Sequence, residues 1–179
     1  MKPHETIEQF DLFLTKQGLS LSAVIIGGSA LSLLGVISRE TRDCDVLHPQ
    51  LPEGIIRAAA GFALEMRGRG LPLQDDWLNN NPMPVAGLLP EGWLSRTQAL
   101  FQGSVLTLSS LSRNDLLLTK LFAYCDRGTD LGDCIALRPT ADELKSALPW
   151  LILQDANPDW PRHVEETIRH LARKLGHEL

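Results

Sequence analysis

The chain has 179 residues, 44% hydrophobic and 22% charged, proportions that suit one folded globular core. Its formal charge of −5 argues against broad electrostatic wrapping of nucleic acid and leaves only a local basic groove open. Cys44, Cys125 and Cys134 are odd in number and form no C-x-x-C pair, so reduced core thiols and a cytoplasmic setting are expected. No charged-then-apolar leader opens the chain and no apolar run reaches the ~20 residues of a bilayer span, so no membrane association is expected.

HETIEQFDLFLTKQGL carries Ile7, Phe10, Phe13 and Leu14 at helical spacing and stops at Gly18, which predicts a first helix. LSAVIIGG is a short run rich in β-branched residues that ends on glycines, the pattern of a buried strand. SALSLLG then predicts a helix with Ser29 as its N-cap. DCDVL predicts a second strand and PEGIIRAAAGFALEMR a second long helix. From Leu71 to Gly103, prolines, glycines and three consecutive asparagines break the pattern, predicting short strands and irregular connections. SVLTLSS predicts a further strand. RNDLLLTKLFAYCDR predicts a strong helix closed by Gly128, and TDLGDCIALR a shorter one capped by Thr129. PTADELKSALPWL and WPRHVEETIRHLARKL predict a helical end. With no repeat and no long linker, the layout is α/β (α+β): a core over 1–110 and a helical C-terminal part over 111–179 on the same domain.

The chemistry concentrates in IIGGSALSLLGVISRETRDCDVL. Glycines after a buried strand let the backbone turn sharply and approach a ligand, and a helix opening at Ser29 would add free N–H groups for an anion. An ordinary strand-to-helix turn accounts for the same letters. On a strand, Asp43 and Asp45 point to one side and Cys44 and Val46 to the other. Two carboxylates side by side repel unless a cation sits between them, and hard oxygen ligands of this kind suit Mg²⁺. Pairing of one aspartate with Arg39 or Arg42 is the bland alternative.

Strand, G-G-S, short helix, R-x-T-x-D-x-D and strand together resemble the nucleotidyltransferase superfamily of the polymerase-beta type. More narrowly, GGSALSLLG with RETRDCDVL is similar to bacterial nucleotidyltransferase-like proteins related to the AbiEii toxins of abortive-infection systems. The resemblance implies a small mixed sheet flanked by helices and a nucleoside triphosphate as substrate. It implies nucleotide contacts from Gly27, Gly28, Ser29, Arg39 and Thr41, with Asp43 and Asp45 as catalytic ligands for one or two Mg²⁺ ions. An RNA or tRNA end or a protein hydroxyl would be the acceptor, and a toxin role would bring an antitoxin partner.

SRNDLLLTKLFAYCDRGTDLGDCIAL extends the likeness and implies catalytic duty for Lys120 and Asp133, with Asp130 and Arg127 near the nucleotide. Read on its own, Lys120 is the only charge in LLLTKLFAYC and shares a helical face with Tyr124 and Arg127. That face could present cations to a triphosphate, or form a structural ion pair with Asp130 and Asp133. Polymerase-type members commonly carry a third carboxylate on a later strand. Asp75 and Asp76 are the candidates, with Asp76 preferred as a metal ligand. Arg96, His48, His163 and His170 read as surface residues, and Trp77 and Trp93 as loop packing or base stacking. Two rivals stand beside nucleotidyl transfer: a non-catalytic nucleotide- or partner-binding module with the same fold, and an Mg²⁺-dependent phosphatase.

Overall fold

A computed structural model describes residues 2–179, and the chain separates into two compact units, one ending at Ser112 and the other spanning Arg113–Leu179. The first unit is built on a five-stranded mixed sheet: β1 (Leu21–Ile26), β2 (Cys44–His48), β3 (Leu78–Asn79), β4 (Gln98–Gln102) and β5 (Leu106–Ser110), in the order β3-β2-β1-β5-β4. β1 runs antiparallel to β2 and parallel to β5, β2 is parallel to β3, and β4 is antiparallel to β5.

Three helices accompany the sheet: α1 (Pro3–Gln17), α2 (Gly27–Leu33) and α3 (Glu53–Gly68). Ile7, Phe10 and Leu14 of α1 and Ile55, Ala59, Phe62 and Met66 of α3 recur at helical spacing. They join Ala23 and Ile25 of β1, Cys44 and Val46 of β2, and Leu106 and Leu108 of β5 in one buried cluster. Phe10 meets the edge of Trp77 at a centroid distance of 5.0 Å, and the Trp77 indole donates to the Ala59 carbonyl at 3.1 Å. Trp77 is therefore a core residue, and the packing reading of it holds over base stacking. The irregular stretch contains β3, β4 and two 3₁₀ turns, Met83–Gly87 and Trp93–Arg96.

One polar group inside this unit had no signal in the helical pattern. Asp11 is buried on α1, and its carboxylate accepts backbone hydrogen bonds from Ser104, Val105 and Leu106 at 2.8–2.9 Å. It ties α1 to the turn between β4 and β5, and Gly103 leaves no room there for a Cβ beside the carboxylate. Burial opposes the charge, but the bonds from Val105, Ser104 and Leu106 hold the carboxyl below the ordinary carboxylate range.

The second unit is helical: α4 (Arg113–Arg127), α5 (Leu131–Ala136), α6 (Ala141–Ile152) and α7 (Trp160–Leu175). Gly128 closes α4 in the left-handed region at φ +71°. Thr140 and Glu143 form a reciprocal capping box at the start of α6. Phe122 packs edge-on against Trp150 and Trp160, and Val164, Ile168 and Leu171 form the buried stripe of α7. His163, expected to be solvated, hydrogen-bonds the Cys125 carbonyl at 2.8 Å and so links α7 to α4. All three cysteines are free and buried. Among the described residues, no helix is long and apolar enough to cross a membrane.

Candidate active site

The site in the first unit is built where β1 ends. Ile26, its last residue, stands opposite Asp45 in the antiparallel register with β2. Gly27 then turns the chain at φ +75°, a conformation that side-chain-bearing residues rarely adopt. A Cβ on residue 27 would lie 2.6 Å from Asp45 Oδ2, so the glycine is required both for the turn and for the approach of the carboxylate. At Gly28 a Cβ would meet Thr41 Cγ2 at 2.9 Å and both terminal nitrogens of the Arg39 guanidinium at 3.6 Å. Gly27, Gly28, Arg39, Thr41 and Asp45 thus converge on one turn.

Ser29 departs from its predicted role. α2 starts at Gly27 with Ile26 in the N-cap position, so Ser29 sits inside the first turn and is not the cap. The glycine turn opens the helix three residues earlier than the N-cap preference of serine suggests. Ser29 is 1% exposed and its hydroxyl donates to the Asp43 carbonyl, while the Thr41 hydroxyl lies 3.0 Å from Ser29 Oγ. With the serine proton committed to Asp43, Thr41 is the donor of that second bond. Ser29 thereby fastens the segment entering β2. Asp43 falls one residue before β2 rather than within it, and both aspartates are partly exposed. They flank Cys44, whose thiol is pushed strongly up by burial, then by the charges of Asp45 and Asp43.

The donor set fits Mg²⁺. Asp45 presents a hard oxygen at a glycine niche with Asp43 two residues away, and this ion is usually held by one or two carboxylates, its other positions filled by water and substrate phosphates. Among the described residues, no group of three His, Cys, Asp or Glu side chains is placed to hold a metal. Asp76 is exposed in the turn before β3, and Asp75 pairs with Arg67 at 2.7 Å, so the structure does not gather either with Asp43 and Asp45. What β3 sets opposite Asp45 is Asn79, in parallel register, and the preceding pair Cys44 and Leu78 belongs to the core on the other face. The next residue, Asn80, donates to the Val46 and Pro49 carbonyls and accepts from the Leu51 N–H, bracing the end of β2. The triple asparagine reads as loop chemistry in sequence, which is why both roles were missed. Arg96 donates to the Glu91 and Pro90 carbonyls within its own loop, and His48 meets Trp93 edge-on at 6.2 Å.

The second unit contains its own ionic cluster. Lys120 is 7% exposed and its ammonium donates to Asp130 Oδ1 at 2.8 Å and to Asp133 Oδ2 at 2.7 Å. Arg127 and Thr129 reach the other Asp130 oxygen at 3.3 and 3.2 Å. Burial alone would lower the lysine pKa; the bonds to Asp130 and Asp133 and their charges hold it above the ordinary range. For Asp130, burial is likewise outweighed by the hydrogen bond and charge of Lys120 and then by Arg127, and its carboxyl lies below the ordinary range. Asp130, not Thr129, occupies the N-cap position of α5, and its side chain makes no cap bond because it serves the two cations.

The model of one protein family, described as "Nucleotidyltransferase of unknown function (DUF6036)", matches residues 4–137, well over half of the chain. The chain belongs to this nucleotidyltransferase family. The match spans both the glycine–aspartate motifs and the Lys120 cluster, and places the chain in the superfamily that the resemblance named without reaching the AbiEii-type toxins. Comparison with curated proteins and with solved structures gave no match. For a member of this family the mixed sheet and its glycine turn are the expected frame, and a nucleoside triphosphate is the expected class of substrate.

Proposed function

We propose that this nucleotidyltransferase-family chain moves a nucleoside monophosphate from a triphosphate to an acceptor hydroxyl, with Mg²⁺ required. The observation that carries the proposal is the approach of Asp45 Oδ2 to Gly27, with Arg39 and Thr41 against Gly28. Asp43 and Asp45 would hold the metal, which when bound supplies charge stabilisation at the phosphate oxygens. The open backbone of Gly27 and Gly28 lets a triphosphate come close, and the Arg39 guanidinium offers it a cation. Ser29 acts through Asp43, whose carbonyl it holds in place. Positioning and electrostatics suffice for such chemistry, so no nucleophilic side chain is needed. Lys120, Arg127, Asp130 and Asp133 carry no step here, because the ammonium is already committed to the two carboxylates.

The acceptor belongs to the same proposal: an RNA end, such as that of a tRNA, or a protein hydroxyl. A toxic outcome with a neutralising partner follows only if that acceptor is essential to the cell. Thermal shift with each nucleoside triphosphate tests binding: stabilisation requires Mg²⁺ and disappears in Asp43→Ala/Asp45→Ala. Label transfer from α-labelled triphosphate to RNA or protein tests the reaction. Binding without transfer to any acceptor would replace the enzyme by the binding module, and no metal-dependent shift would remove both.

A further inference from the structure

We propose, resting on the transferase reading of this site, that Asn79 sets the order of loading: its neutral amide leaves the aspartate pair a weak holder of Mg²⁺ alone, so the metal enters together with the triphosphate. The strand register carries the inference. β3 is parallel to β2, with Leu78 beside Cys44 and Asn79 beside Asp45. Leu78 and Cys44 both belong to the buried core, so the pleat turns Asn79 to the same face as Asp45, one strand spacing of roughly 4.8 Å away. A carboxylate at position 79 would give the site a third anionic donor from a neighbouring strand. The chain places an amide there instead.

The amide is held by its own turn. Asn79 Oδ1 accepts from the Asn81 N–H at 2.8 Å, and Nδ2 reaches the Asp76 carbonyl at 3.5 Å. Its oxygen is neutral and already accepts a hydrogen bond, a poor competitor for a cation that gives up its waters reluctantly. Arg39 weakens the field further. Its guanidinium lies 3.6 Å from where a Cβ of Gly28 would be, in the same turn that brings Asp45 Oδ2 to Gly27, and offsets one of the two negative charges. A triphosphate supplies the missing anionic oxygens and is drawn by that same guanidinium, which couples the arrival of the metal to that of the nucleotide.

The test is a Mg²⁺ titration of the ¹⁵N-labelled full chain without nucleotide, read at the amides of Asp43, Asp45 and residue 79. The parent chain should half-saturate only above ~1 mM, the weak end of all-protein cation sites. Asn79→Asp should bind about tenfold more tightly or better, the effect of one charge roughly 5 Å from a dication even at high dielectric. Asn79→Ser, neutral like the parent, should not tighten binding. The aspartate keeps an acceptor for the Asn81 N–H and so retains the turn, which the unshifted remainder of the spectrum verifies; Asn79→Glu brings the same charge as a second acidic variant. Half-saturation of the parent below ~1 mM, acidic variants no tighter than the parent, or Asn79→Ser as tight as Asn79→Asp would each overturn the assignment. Thermal shift with triphosphate and Mg²⁺ separates the two readings. If the parent is stabilised while the acidic variants leave Mg²⁺ affinity unchanged, only the role of Asn79 falls; if the parent is not stabilised, the transferase reading falls and this inference with it.

Discussion

Replacing Lys120 by methionine keeps most of the apolar stem and removes only the charge. The ammonium is buried between Asp130 at 2.8 Å and Asp133 at 2.7 Å, so the variant leaves two carboxylates facing the space it filled. Removing one partner of a buried ion pair costs about 3–5 kcal/mol, a large part of the roughly 5–15 kcal/mol that holds a protein folded. At roughly 2–4 °C per kcal/mol for a chain of this size, the midpoint should fall by about 10 °C. Asp130 keeps Arg127 at 3.3 Å and Thr129 at 3.2 Å, and Asp133, 6% exposed, loses the ammonium that stood 2.7 Å away. Lys120→Met/Asp133→Asn should therefore recover about half of the deficit or more, because it removes the remaining cause of repulsion. Protonation relieves the same repulsion, so the gap between Lys120→Met and the parent chain should narrow from pH 7 to pH 5. Urea and thermal unfolding followed by circular dichroism measure all three effects. A Lys120→Met variant within about 1 kcal/mol of the parent at pH 7, the level of an exposed pair, would refute the reasoning. So would a gap that does not change with pH.

Gly27→Ala should lose about 1–2 kcal/mol for a left-handed residue that carries a side chain, and should abolish Mg²⁺-dependent stabilisation by triphosphate in thermal shift because the new methyl displaces Asp45. Asp11→Ala removes a carboxylate that satisfies three backbone N–H groups, and should cost about 3–5 kcal/mol by urea unfolding. The pH dependence has two limbs. Asp11 and Asp130 are held below the ordinary carboxylate range, so their contribution is present above the unfolded value of about 4 and is lost as pH falls through the lowered folded values. Lys120 is held above the ordinary range, so its contribution is present below about pH 10.4 and is lost as pH climbs through the raised folded value. Urea midpoints from pH 2 to 11 should show both limbs, with the acid limb shallower in Asp11→Ala.

The periodic parts of the chain were readable because one face of each element is buried. Ile7, Phe10 and Leu14 mark α1, and the buried stripe Val164, Ile168 and Leu171 falls within the segment read as the last helix. Apolar runs bounded by glycine or polar residues marked β1 and β5. What pattern could not supply were contacts between residues far apart in sequence. Asp11 breaks no helical rule and looks like any acidic residue on a surface helix; its three partners lie more than ninety positions away. Asn79 and Asn80 look like loop residues because asparagine favours turns, yet one stands opposite Asp45 and the other holds the end of β2.

The same distinction governs the site. Glycine at 27 is forced by two independent local facts, a φ of +75° and a carboxylate oxygen 2.6 Å from where a Cβ would be, and composition reports such requirements well. Serine at 29 satisfies several rules at once: it can cap a helix, donate to a phosphate, or bond a backbone carbonyl. Only the position of Asp43 decides among them, and that depends on how the loop after α2 returns to the sheet. Because the hydroxyl is directed at the Asp43 carbonyl, the serine of the G-G-S motif braces the segment that enters β2, the segment to which the proposed function assigns the metal. Ser29→Ala should therefore disturb the response to Mg²⁺ along with the response to triphosphate, whereas a serine that served phosphate alone would leave metal affinity untouched. Separate titrations of the two ligands, read by amide shifts at Asp43 and Asp45, distinguish the two roles.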